Sequence, residues 1–193
     1  VPHLSWMSMK GEAKRDYPQS IFYQSPWYRE YPYIENHFAR LNTALTRGEP
    51  VVDIAVIHPV ESYWVHWGPS ESTGSIRNQL EKNFSDIIEW LLFAQLDFDF
   101  ISESLLPDQF GGVHDGRMRV GHMEYRAVVV PAPVTLRQTT VDALTEFEKA
   151  GGTVIFMGDC PEYVDAIRSD AVKPVFDAAE RIPFSRDALT GAL

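Results

Sequence analysis

Four short runs rich in β-branched and aromatic residues alternate with helical stretches from residue 51 onward, and this alternation leaves few folds open. VVDIAVI (51–57), FDFI (98–101), YRAVVVP (125–131) and TVIFMG (153–158) have the composition of buried strands. Between the first two, Ile76, Leu80, Phe84, Ile87, Ile88 and Leu91 trace one face of a helix that reaches about Gln95. Between the last two, Val141, Leu144 and Phe147 do the same. Thr135 and Gln138 stand at capping-box spacing before that helix, and Gly151-Gly152 closes it. Residues 104 to 122 hold Pro107, Gly111, Gly112, Gly116 and Gly121 and read as a loop with a short strand at Met118–Val120. From Pro161 to about Arg181 one or two helices are expected.

The order β-α-β-loop-β-α-β-α implies a mostly parallel sheet covered by helices on both faces. The expected class is a three-layer α/β/α, doubly wound fold over residues 51–193, flavodoxin-like or class I glutamine amidotransferase-like. A first crossover to one edge followed by reversal predicts the strand order 2-1-3-4. Asp97 just before the second run and Asp99 within it place it near a sheet edge. Residues 1–50 are expected to be a connector. Up to residue 33 they show no sustained period, and IFYQSPWYREYPY is aromatic and interrupted by prolines. Helical spacing then runs through Ile34, Phe38, Leu41 and Leu45 until Gly48 and Pro50. The chain opens on Val1-Pro2 and stops within RDALTGAL, as expected of a piece of a longer protein.

A net charge of −10 without a basic cluster argues against nucleic acid or an anionic membrane surface as partner. One cysteine, Cys160, excludes an intrachain disulfide and favours a reducing, cytoplasmic setting. No apolar run approaches the roughly 20 residues of a membrane helix.

In an open parallel sheet, ligands sit beyond the carboxyl ends of the strands. The segment that leaves the first strand there is HPVESYWVHWGP (58–69), with His58, Glu61, Tyr63, Trp64, His66 and Trp67 in twelve positions. Glu103 and Asp159 follow the second and fourth strands onto the same edge. Neighbouring strands lie about 4.8 Å apart, so acids on this edge can converge within about 10 Å, the scale of a proton-transferring carboxylate pair. The plainer reading is that each acid caps a helix or faces water. For Tyr63, Trp64 and Trp67 three readings stand: a small core of their own, a contact with a neighbouring domain, or stacking on a ligand such as a sugar ring. His58, His66, His114 and His122 lack the paired spacing of a zinc site, so no metal is expected. MGDCPEY lacks the small neighbours of a nucleophile turn, which argues against a catalytic Cys160. Bulky, acidic residues at 58–61 leave no phosphate-binding turn after the first strand, and no cofactor is expected.

The stretch GEAKRDYPQSIFYQSPWYREYPYIENHFARLNTALTRGEPVVDIAVIHPVESYW resembles the segment just after the catalytic barrel of large bacterial glycoside hydrolases. YRAVVVPAPVTLRQTTVDALTEFEKAGGTVIFMGD resembles the amidotransferase-like domain that follows the barrel, which in beta-galactosidases mediates trimerisation. The likeness covers most of residues 10 to 160, and KRDYP and HPVESYW carry more of it than the second half. It implies a non-catalytic accessory domain whose partners are the barrel of the same parent chain, carbohydrate through that parent, and other copies in an oligomer. The catalytic glutamates belong to the barrel, so none is assigned here. Contact candidates are the six residues of the 58–69 segment just named, with Glu103 and, in the connector, Trp27 and Tyr28. A stand-alone small-molecule or amidotransferase-like enzyme using the His/Glu-rich edge, and a purely structural oligomerisation module, are the alternatives.

Overall fold

The computed structural model describes residue 23 and residues 26–193, so GEAKRDYP lies outside the described residues. The chain divides into two units, 1–50 and 51–193. In the first, a 3-10 turn (Tyr28–Glu30) leads into α1 (Tyr31–Leu45). Pro32 occupies the first turn of α1, where its missing N–H is no loss.

The second unit begins with β1 (Ile54–Ile57), α2 (Val60–Val65), α3 (Ser70–Phe93) and β2 (Phe98–Ile101). Then come α4 (Leu106–Gln109), β3 (Phe110–His114), β4 (Arg117–Val120), β5 (Met123–Tyr125) and β6 (Ala127–Pro131). β7 (Thr135–Leu136), α5 (Gln138–Lys149) and β8 (Thr153–Met157) follow. The unit ends with β9 (Tyr163–Val164), β10 (Ile167–Arg168), α6 (Lys173–Ala178), β11 (Glu180–Ile182) and α7 (Arg186–Ala192). The central sheet has five strands, all parallel, in the order β2-β1-β6-β8-β11. The expected order of the first four strands is therefore found, with β11 added at the far edge.

Each inner strand alternates its side chains between two cores, which is why these strands read as unbroken apolar runs. Ala55, Ile57, Val128, Val130, Val154 and Phe156 face Val141, Leu144 and Phe147 of α5, together with Val175 of α6. Ile54, Val56, Val129, Ile155 and Met157 face Ile87 and Leu91 of α3 and Leu189 of α7. Helices on both faces make the unit three-layered. The end of α5 is set by packing as much as by backbone freedom. Gly151 takes a left-handed φ of +86°, and a Cβ on Gly152 would lie 2.0 Å from the fully buried Phe147 ring.

Several expectations need correction. The 58–69 segment is not all loop, because residues 60–65 form α2, and α3 starts at Ser70 rather than Ile76. Its first turn, SEST, is polar and so invisible to apolar periodicity. The 104–122 stretch forms α4, β3 and β4 rather than mostly loop; β4 contains the short strand expected at Met118–Val120, and with β5 the two make an antiparallel sheet. Asp115 and Gly116, at φ of 51° and 72°, make the tight turn between β3 and β4. Residues 161–181 hold one helix, α6, a β9-β10 hairpin and the start of β11 rather than only helices. The capping box is absent. Thr135 is a buried strand residue whose hydroxyl accepts from the Ala166 N–H, and the N-cap position falls on Arg137.

Candidate functional site at the carboxyl edge of the sheet

The connections leaving β1, β2, β6 and β8 bring Glu61, Glu103, Arg137 and Asp165 to one edge. Arg137 sits between the two glutamates. Its Nε donates to Glu61 Oε1 at 2.9 Å, and its backbone N–H donates to Glu103 Oε2 at 2.7 Å. The next amide, Gln138 N–H, donates to Asp165 Oδ1 at 3.3 Å. The free amides at the start of α5 are thus met by acids from distant connections instead of by a local cap. Glu103 does not pair with Asp159, which is exposed. Arg137 was missed by sequence reasoning because a lone arginine before a helix carries no distinguishing pattern.

Glu103 is fully buried. Burial pushes its carboxyl up to about 7 against the opposing pull of the Arg137 amide, and the negative charge of Glu61 adds to the rise. Its Oε1 and the Thr140 hydroxyl are both buried without a well-formed hydrogen bond among the described residues, as is Glu61 Oε2.

The strand order reverses between β1 and β6, where doubly wound sheets open a crevice. Here that crevice is closed by Ser62 of α2, which is wholly buried. Its hydroxyl accepts from the Val134 N–H at 2.9 Å and the Thr135 N–H at 3.1 Å, and donates to the Thr135 carbonyl at 3.2 Å.

The aromatic residues divide by location. His58 packs edge-on against Phe84 and Phe100 and borders a small cleft of about 190 Å³ with Tyr63 and Leu80. His66 ends α2 with its Nε2 buried. Trp64 and Trp67 are 59% and 70% exposed, so neither ring belongs to a core. The Arg77 guanidinium lies 5.1 Å from the Trp67 ring centroid. Trp64 lines a second cleft of about 290 Å³ whose other walls are Glu61, Arg137 and Asp165, with Thr135 and Leu136 as floor. In the first unit Trp27 and Tyr28 are also exposed.

Burial pushes the Cys160 thiol up, away from the thiolate form a nucleophile requires. His114 Nε2 is engaged with the Gly111 carbonyl. Among the described residues no group of His, Cys, Asp and Glu is placed to hold a metal ion, and no helix is long and apolar enough to cross a membrane. No protein-family model and no curated protein matches the sequence.

Proposed function

We propose that residues 51–193 are a non-catalytic accessory domain of a glycoside hydrolase, with a flavodoxin-like or amidotransferase-like fold, that packs on the catalytic barrel through its aromatic carboxyl edge. The order 2-1-3-4-5 of the central strands supports the finer fold assignment. The family reading rests on the likeness carried by HPVESYW and by YRAVVVP through FMGD. The observation that carries the functional reading is the outward presentation of Trp64 and Trp67 beside an edge whose own acids are held in structural bonds. Large exposed rings mark contact sites.

One observation favours a stand-alone enzyme: a carboxyl near 7 is suited to general acid–base work. Against it, hydrolysis of a glycoside needs two carboxyl groups open to the sugar. Glu103 has no exposed surface, and Glu61 is engaged by Arg137. The chain by itself is therefore expected to release no nitrophenol from a panel of aryl glycosides. Turnover that disappears in Glu61→Gln or Glu103→Gln would assign the chemistry to this edge and overturn the reading.

A further inference from the structure

We infer that the cleft of about 290 Å³ between α2 and the β9-β10 turn is a subsite for one pyranose ring that bears no anionic group, with Trp64 as its apolar wall and Arg137 and Asp165 as its polar ones. The inference rests on the carbohydrate reading above and gives this edge a ligand of its own. Three features select that chemistry.

First, the size fits a small ligand, since the cleft lies at the lower limit of pockets that enclose drug-sized molecules. Second, its polar groups come as a donor and an acceptor. Arg137 uses Nε on Glu61, so its two terminal nitrogens keep their N–H donors, while Asp165 uses only Oδ1 on the Gln138 amide and keeps Oδ2 as an acceptor. Each sugar hydroxyl both donates and accepts, and so it answers such a pair. Third, the charge balance disfavours anions. Glu61 already neutralises Arg137, which leaves the negative charge of Asp165 to repel an anionic ligand. An exposed indole beside these groups offers the flat face that the C–H side of a pyranose covers.

The wall formed by Asp165 and Ala166 is held in place. Both residues have left-handed φ, 48° and 62°. The turn is tied down by the Asp165 N–H on the Leu136 carbonyl and the Ala166 N–H on the Thr135 hydroxyl. A ligand therefore meets a preformed rim on that side.

The test is a titration of the full chain with neutral methyl pyranosides of glucose, galactose and mannose, followed by NMR. The reporter is the indole N–H signal of Trp64, assigned by its absence in Trp64→Ala. At least one pyranoside is expected to shift that signal saturably, with a Kd on the order of 1 mM. Asp165→Asn keeps the turn-forming side chain and its capping oxygen, and is expected to weaken binding about tenfold. Glucuronate is expected to bind at least about tenfold more weakly than the neutral sugar. No shift with any of the three neutral sugars, an unchanged Kd in Asp165→Asn, or stronger binding of glucuronate than of the neutral sugars would each overturn the inference. A negative titration would leave the barrel contact standing, because that contact also draws on Trp67, which does not line this cleft. Loss of the barrel contact would in turn leave sugar binding by this chain untouched.

Discussion

Replacing Glu103 by glutamine is expected to stabilise the protein above neutral pH and to remove a dependence on pH of about 3 kcal/mol. The folded state raises this carboxyl from 4.5 to about 7. A raised carboxyl binds its proton more tightly in the folded than in the unfolded chain. Its favourable contribution is therefore complete below about pH 4.5 and is lost as the pH rises through about 7. Glutamine keeps an oxygen for the Arg137 amide, adds N–H donors beside the Thr140 hydroxyl, and has no proton to lose. The difference in unfolding free energy between Glu103→Gln and the parent sequence should shift by about 3 kcal/mol in favour of glutamine between about pH 4.5 and pH 8. Denaturant melts across that range measure it. A constant difference would mean that Glu103 titrates in the folded protein as it does in the unfolded chain.

Ser62→Ala is expected to cost a similar amount, about 3 kcal/mol, through a different mechanism. The hydroxyl is the shared partner of the Val134 and Thr135 amides and bonds the Thr135 carbonyl as well. Alanine fills nearly the same volume but leaves both amides without a partner, and each such loss costs about 1–3 kcal/mol. Because Ser62 also anchors α2 to the start of β7, the Trp64 side of the cleft should loosen in the same variant. A loss below about 1 kcal/mol would show that water replaces the hydroxyl, and that the crevice at the strand reversal is open rather than closed.

The central sheet was legible because its signal is dense. β1, β6 and β8 are buried on both faces, so their runs stand out, and the glycines after α5 mark its end. β11 was hidden for the opposite reason. It is a three-residue edge strand whose Glu180 and Arg181 face water, and its apolar content is one isoleucine. The two hairpins differ instructively. Asp115-Gly116 is the dipeptide that tight hairpins favour, and it joins the strand expected at 118–120, found within β4, to β3, whose own glycines hide it. Asp165-Ala166 makes a similar turn without glycine, held there by bonds from 135 and 136, and nothing local announces it.

The candidate site was legible in its location but not in its wiring. A rule about strand ends places Glu61 and Glu103 on one edge. It cannot say that Arg137, seventy-six positions from Glu61, will stand between them. Nor can it distinguish Asp159, which faces water, from Asp165, which caps α5. Such pairings depend on loop geometry, which periodicity does not encode.

The central claim is that the outward tryptophans serve a contact beyond this domain, and unfolding free energies of Trp64→Ala and Trp67→Ala test it most directly. In this chain each change is expected to cost less than about 1 kcal/mol, because both rings are largely exposed. In the longer, barrel-bearing hydrolase proposed above as the parent, the same changes are expected to lower stability or substrate affinity clearly. A loss of about 3–5 kcal/mol in this chain alone, equal to that in the longer protein, would make the rings ordinary core and contradict the account.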